Sequence, residues 1–143
     1  MSRPTTATAT AAVWRPRATA SRLLLQADGL VVSAAGALLL VRARPLASAL
    51  GLMASWPLVV LGAAFVPYGA WLCWAATRAS GARLRRLVGT IAVANTAWAL
   101  VSAALLLGHI PTLTELGRWV VAVQAGVVAL FAATEACSSR WTA

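Results

Sequence analysis

The sequence predicts an all-α fold: a polytopic membrane protein built as a bundle of four transmembrane helices. Three observations carry that expectation. Hydrophobic residues make up 61% of the 143 positions and charged residues 10%, against ~45–50% apolar and ~25% charged in a soluble domain. Four apolar runs of 18–21 residues recur along the chain, close to the ~20 that a helix needs to cross ~30 Å of hydrocarbon at 1.5 Å per residue. The twelve basic residues are all arginine and fall between or at the ends of those runs.

In chain order, residues 1–22 are rich in Thr, Ala and Arg, carry Pro4 and Pro16, and hold no acid. Such a stretch cannot bury a core and is expected to be a disordered cytoplasmic tail; a transit peptide of similar composition is the alternative. The first span is LLLQADGLVVSAAGALLLV, 23–41. It is too long for the apolar region of a signal peptide, and Arg42 and Arg44 separate it from the cleavage-like Ala47-Ser48-Ala49. The stretch 46–56, LASALGLMASW, places Leu46, Leu50 and Met53 on one helical stripe and predicts an interfacial helix lying along the bilayer.

The second span covers 58–77, opened by Pro57, where a missing N–H costs nothing. Pro67 falls mid-span and is expected to kink the helix, freeing the carbonyl of Ala63. The third span covers 87–107, ended by Gly108 with Pro111 just beyond. Thr112-Leu-Thr-Glu115 reads as a capping box opening a fourth helix from about Leu113 to about Cys137, with 119–136 as its membrane part and 138–143 as a cytoplasmic tail.

Four passes put the N-terminal tail, the second loop and the C-terminus on one side, with nine arginines (Arg3, Arg15, Arg17, Arg22, Arg78, Arg83, Arg85, Arg86 and Arg140) against three (Arg42, Arg44 and Arg118) on the other. The positive-inside rule then places both termini in the cytoplasm, with Trp56 and Trp119 at the outer interface. The net charge of +9 does not point to nucleic acid, because no basic face is interleaved with exposed aromatics. Arginine without lysine, amid abundant Ala and Leu, suits a GC-rich bacterial genome, so the expected location is a bacterial inner membrane.

A charge at mid-bilayer costs about 2.5–3.5 kcal/mol on insertion scales, which makes Asp28 and Glu135 the positions that most need explaining. With both termini inside, the two acids fall at similar heights in the cytoplasmic half. Asn95 of the third span and Tyr68 of the second lie near that level, so Asp28, Asn95, Glu135 and Tyr68 form a candidate intramembrane polar cluster. On the fourth helix Gln124, Val128, Phe131 and Glu135 share one stripe, which makes Gln124 a secondary candidate. Asn95 and Ser102 share a stripe on the third. Asp28 lies roughly 160° from Gln26 on the helical wheel; Gln26 is nearer the boundary and its water, so Asp28 is expected to point inward. Gly29, Ser33 and Ala37 form a small-residue surface suited to helix contact.

The bland alternatives are an Asp28 paired with Arg22 or the 83–86 cluster, a Glu135 that snorkels to the headgroups, and an Asn95 acting as interhelical glue worth ~0.6 kcal/mol. If the two acids face each other, like charge and poor solvation leave at least one of them protonated.

The sequence offers little else that carries chemistry. Cys73 and Cys137 are far apart and form no redox motif. His109 stands alone in an outer loop. No metal-ligand spacing, phosphate loop or nucleophile motif is present, so no enzyme activity, metal or cofactor is expected. Gly62 and Gly69 flank Pro67 and suit packing or bending.

LLLQADGLVVSAAGALLLV, VPYGAWLCWAATR, IAVANTAWALVSAALLL and VVAVQAGVVALFAATEA together resemble uncharacterised small four-helix integral membrane proteins of bacteria. The likeness covers roughly residues 22–137 and lies in Ala27-Asp28, in Ala94-Asn95 with Trp98, and in Gln124-Ala125. It implies topology and no assigned activity. Small multidrug resistance transporters are also short four-helix proteins with an acid in the first span, but theirs is a mid-membrane Glu, and the tail and first loop here depart from that pattern. The expected function is therefore that of an accessory or scaffold protein in the lipid bilayer, with a second copy or another membrane protein as partner. The alternative is a small proton-coupled transporter using Asp28 and Glu135.

Overall fold

The structure, a computed structural model, describes the backbone of residues 6–108 and 113–141 and the side chains of 18–108 and 113–138. His109 and Thr112 lie outside those residues. The described residues form five helices and no strand: α1 (Thr6–Val41), α2 (Ala43–Leu50), α3 (Trp56–Arg78), α4 (Gly81–Leu107) and α5 (Glu115–Trp141). Four segments are long and apolar enough to cross a membrane: Ala18–Val41, Trp56–Arg78, Gly81–Leu107 and Glu115–Ser138. These contain the four expected spans. The protein is an all-α, four-span bundle, and large apolar side chains such as Leu30, Val60, Val93, Leu100, Val123 and Leu130 face outward. In water that surface would be an aggregation liability; in lipid it is the ordinary exterior of a multi-pass protein.

The helices associate as two pairs, α1 with α3 and α4 with α5, and the pairs meet mainly along α1. Lipid tails are as apolar as leucine, so close van der Waals approach rather than water exclusion drives such pairing. In α1/α3 the approach is made by glycines spaced seven residues apart on each helix of an antiparallel match, Gly29 opposite Gly69 and Gly36 opposite Gly62. A Cβ on Gly29 would stand 2.7 Å from the Gly69 carbonyl oxygen, and one on Gly36 would stand 2.8 Å from the Phe65 Cβ and 3.0 Å from the Gly62 oxygen. Ser33 sits between them and donates to the Val66 carbonyl at 3.4 Å. The seam thus runs 29, 33, 36 rather than 29, 33, 37, and Ala37 is exposed. α3 continues through Pro67 without a break.

The short helix comes earlier than the stripe Leu46, Leu50 and Met53 suggests. Gly51 stops it, adopting φ 80°, a left-handed conformation that costs an L side chain roughly 1–2 kcal/mol. The Leu52 N–H closes on the Ala47 oxygen at 2.8 Å and the Gly51 N–H on the Ser48 oxygen at 3.2 Å, the paired bonds of a Schellman ending. Met53 therefore lies beyond the helix and is 97% exposed.

The fourth span also opens differently. α5 starts at Glu115 and is capped by Thr114: the Gly117 N–H donates to Thr114 Oγ1 at 3.0 Å. Thr114 also ties the outer end together, donating through its hydroxyl to the Ala49 oxygen at 2.6 Å and through its N–H to the Leu50 oxygen at 3.1 Å. The orphan carbonyls at the end of α2 are satisfied this way.

At the other end the expected tail is partly structure. α1 runs back to Thr6, and Ser21 is buried, sharing a hydrogen bond with Ser138 of α5 at 2.5 Å. Arg22 Nη2 donates to the Ala79 oxygen at 2.9 Å, past the C-terminal end of α3, where a cation also complements the helix dipole. The segment ahead of the span carries Ala7, Ala9, Ala11, Ala12, Ala18 and Ala20. Alanine is the best helix former, so a stretch with nothing to bury still extends a helix already nucleated by the span.

Candidate functional site

Leu25 of α1, Leu72 and Ala76 of α3, and Leu84, Val88 and Ile91 of α4 make an apolar plug near the end of the bundle where Ser21 meets Ser138. Adjacent to the plug, one turn along α1 and α4, stand three polar residues. Asp28 is 2% exposed, Asn95 8% and Glu135 0%.

Helical phase puts them there. Leu25 and Asp28 are three apart and share the inner face of α1, while Gln26 turns aside and is half-buried. Ile91, Asn95 and Ser102 line the inner face of α4, all buried. Glu135 follows Ala132 by three on α5.

Asn95 is the hinge pin of the group. Its Nδ2 donates one hydrogen to Asp28 Oδ2 and the other to Glu135 Oε2, each at 3.1 Å. One amide thus joins an acid from the α1/α3 pair to an acid from its own pair. The two accepting oxygens are no further apart than twice that distance. Two full negative charges ~6 Å apart repel by about 3 kcal/mol at an effective dielectric of ~20.

Arg22, a candidate partner for Asp28, is turned to Ala79 instead. Glu135 does not snorkel: it is fully enclosed, and its Oε1 is buried with no hydrogen-bond partner. An unpartnered polar atom in such a place is costly and calls for a reason.

Tyr68 comes near without joining the chain of hydrogen bonds. Its ring packs against the Leu25–Leu72 plug and lies 6.1 Å from Trp71. Gln124 is half-buried on the stripe of Glu135, but eleven residues away, about 16 Å along the helix, and so is not a member of the cluster.

No family, no curated protein and no solved structure matches this chain. The chemistry of the cluster therefore has to be read from its own atoms. Among the described residues no group of three His, Cys, Asp or Glu side chains is placed to hold a metal ion. What the cluster offers is two carboxyl groups, one amide and a nearby phenol: enclosed, oxygen-rich, and with both acids accepting from one donor residue.

Two features were not anticipated from sequence. The Ser21–Ser138 bond ties α1 to α5 on the side of the plug away from the acids, at positions that carry no sequence signal beyond being small and polar. An open groove of about 370 Å³ lies on the outer face of α4/α5, between Thr96, Ala99 and Leu100 on one side and Ala129, Ala132, Ala133 and Ala136 on the other. Ala125, Ala129 and Ala133 repeat a small residue every fourth position of α5; Ala129 and Ala133 border the groove.

Proposed function

We propose that the chain is a small, non-enzymatic, multi-pass protein of a bacterial inner membrane, with both termini in the cytoplasm, and that its buried acids serve the proton-coupled movement of a small solute. The orientation is supported by the gathering of the first span's beginning, the α3–α4 turn and α5's end through the bonds Arg22–Ala79 and Ser21–Ser138. By sequence, nine of the twelve arginines fall in the stretch leading into the first span, around the α3–α4 turn and in the stretch after the fourth span, and such a bias marks the cytoplasmic side. A green fluorescent reporter fused to either end is expected to fluoresce, and a phosphatase active only outside the cytoplasm is expected to stay silent at both. An active phosphatase at either end overturns the orientation.

The coupling is carried by one observation: the Asn95 bridge between two enclosed acids that belong to different helix pairs. A passive helix lock needs no second acid, and intramembrane carboxyls that exchange protons are the usual parts of transporters. A pH jump across wild-type proteoliposomes is expected to displace charge, seen as a transient current. Asp28→Asn should abolish that current while the protein still purifies as a folded species. A current that survives in Asp28→Asn, or none above empty liposomes in the wild type, sinks the carrier reading.

The second reading, an accessory or scaffold protein, is favoured by the open, small-residue groove of α4/α5, a surface on which a transmembrane helix packs closely. On that reading Asp28→Asn lowers abundance or thermal stability and has no electrical phenotype.

A further inference from the structure

We infer that the cluster binds a single proton, held on the carboxyl group of Glu135, and that this proton latches the α1/α3 pair onto the α4/α5 pair. The inference deepens the carrier reading by naming the group that holds the coupled proton. Its test reads occupancy rather than transport, so either can fail alone.

Charge and geometry choose the ligand. An alkali cation would lie between the two carboxyls, but the Asn95 nitrogen already lies there, with a hydrogen directed at each acid. Those N–H groups repel a cation and leave no ring of oxygens around it, whereas a proton needs only one oxygen. The ligand class is therefore a proton.

Burial chooses the acid. An ionised carboxylate has about four acceptor positions to satisfy, and a neutral carboxyl fewer. Glu135 is wholly enclosed and satisfies one oxygen only; Oε1 has no partner. An anion there has one oxygen bare of both water and protein, the arrangement that low-dielectric surroundings penalise most. A proton on Oε1 turns the bare anionic oxygen into a hydroxyl and leaves Oε2 as the neutral acceptor of the Asn95 bond. Asp28 then receives the other Asn95 hydrogen and keeps the cluster's one negative charge.

Position makes this a latch. Asp28 is on α1; Asn95 and Glu135 are on α4 and α5. Glu135 meets Asn95 of α4, which also holds Asp28 of α1, and Tyr68 of α3 packs on the neighbouring plug. None of them is a cation. With the proton gone, two like charges share one amide across the meeting line of the pairs, and the repulsion acts to part them. The Ser21–Ser138 bond and the Leu25 plug lie on the same line, so parting there opens the cluster toward the arginine-rich end.

The test is infrared spectroscopy of the full chain in nanodiscs. The chain contains one aspartate, Asp28, and two glutamates, Glu115 and Glu135, so isotope labelling assigns acids without mutation. At neutral pH the wild type is expected to show one protonated-carboxyl carbonyl band. Carbon-13 glutamate should move it and carbon-13 aspartate should not. Glu135→Gln, which keeps the length and the acceptor for Asn95, should remove it. Spin labels on Leu23→Cys and native Cys137, with Cys73→Ala, should move apart in alkaline buffer and stay fixed in the same background carrying Glu135→Gln. A band that follows aspartate labelling, no band at all, or a label distance indifferent to pH overturns the inference.

Discussion

Gly69→Leu is expected to melt far below the wild type in detergent. A side chain at this position meets the Gly29 carbonyl oxygen and the Ser33 hydroxyl at once, with the Ser33 backbone nitrogen 2.8 Å from its first carbon. Two of the three obstacles are backbone, which cannot swing away as a side-chain tip does. The α1/α3 pair must separate to admit the leucine. In lipid that separation forfeits the close packing that holds the helices together, with no hydrophobic gain to soften it. Overpacking a core costs roughly 1–3 kcal/mol where side chains can yield; against backbone the cost is at the top of that range or above. That is a large share of a total stability of about 5–15 kcal/mol. The measurement is the thermal melt and the elution profile beside Gly126→Leu, where nothing stands within 4 Å of the added carbon. Gly126→Leu should melt as the wild type does, or slightly higher, since glycine within a helix costs about 1 kcal/mol. Equal melting of the two variants would mean that α1 and α3 are not in contact at the glycines.

The contrast between these glycines also marks where sequence reading stops. The four spans are legible because crossing lipid imposes a length and an apolar content, and both can be counted. Asp28, Asn95 and Glu135 are legible because polar groups are costly in hydrocarbon and three of them fall at neighbouring heights. Pairing is not legible, because a lipid-facing surface and a protein-facing surface are equally apolar and the periodic signal of a soluble helix vanishes. Gly29, Ser33 and Ala37 look like a seam by spacing; the seam instead follows Gly29, Ser33 and Gly36, because steps of four and three keep to one face as well as two steps of four do. Thr114 is a cap by type, but its second role, closing on α2's carbonyls, depends on where α2 ends and has no local signal. Arg22 looks like a counter-ion for Asp28 from its place at the boundary. A helix end at Ala79 competes for it, and nothing local to either residue reveals that.

Asn95→Leu is expected to cost about 2–5 kcal/mol in alkaline buffer and clearly less in acid. The leucine fills a similar volume, so the change removes the two hydrogen bonds and little else. Each lost bond leaves a buried acceptor without a donor, a penalty of about 1–3 kcal/mol that grows when the acceptor is charged. The sign of the pH dependence follows from the charge. The Asn95 amide binds an ionised acid more strongly than a neutral one, so its removal hurts most where the acids carry charge and least where both are protonated. Melting the variant and the wild type side by side across pH should show curves that converge as pH falls. Adding Glu135→Gln to Asn95→Leu should recover much of the alkaline deficit, because one of the two stranded acids is then neutral at every pH. Asp28→Asn in the same background should recover less, because it leaves stranded the acid whose second oxygen is already bare. A deficit that ignores pH, or equal recovery from the two acids, would make Asn95 a packing residue and remove the reason to treat Asp28 and Glu135 as one site.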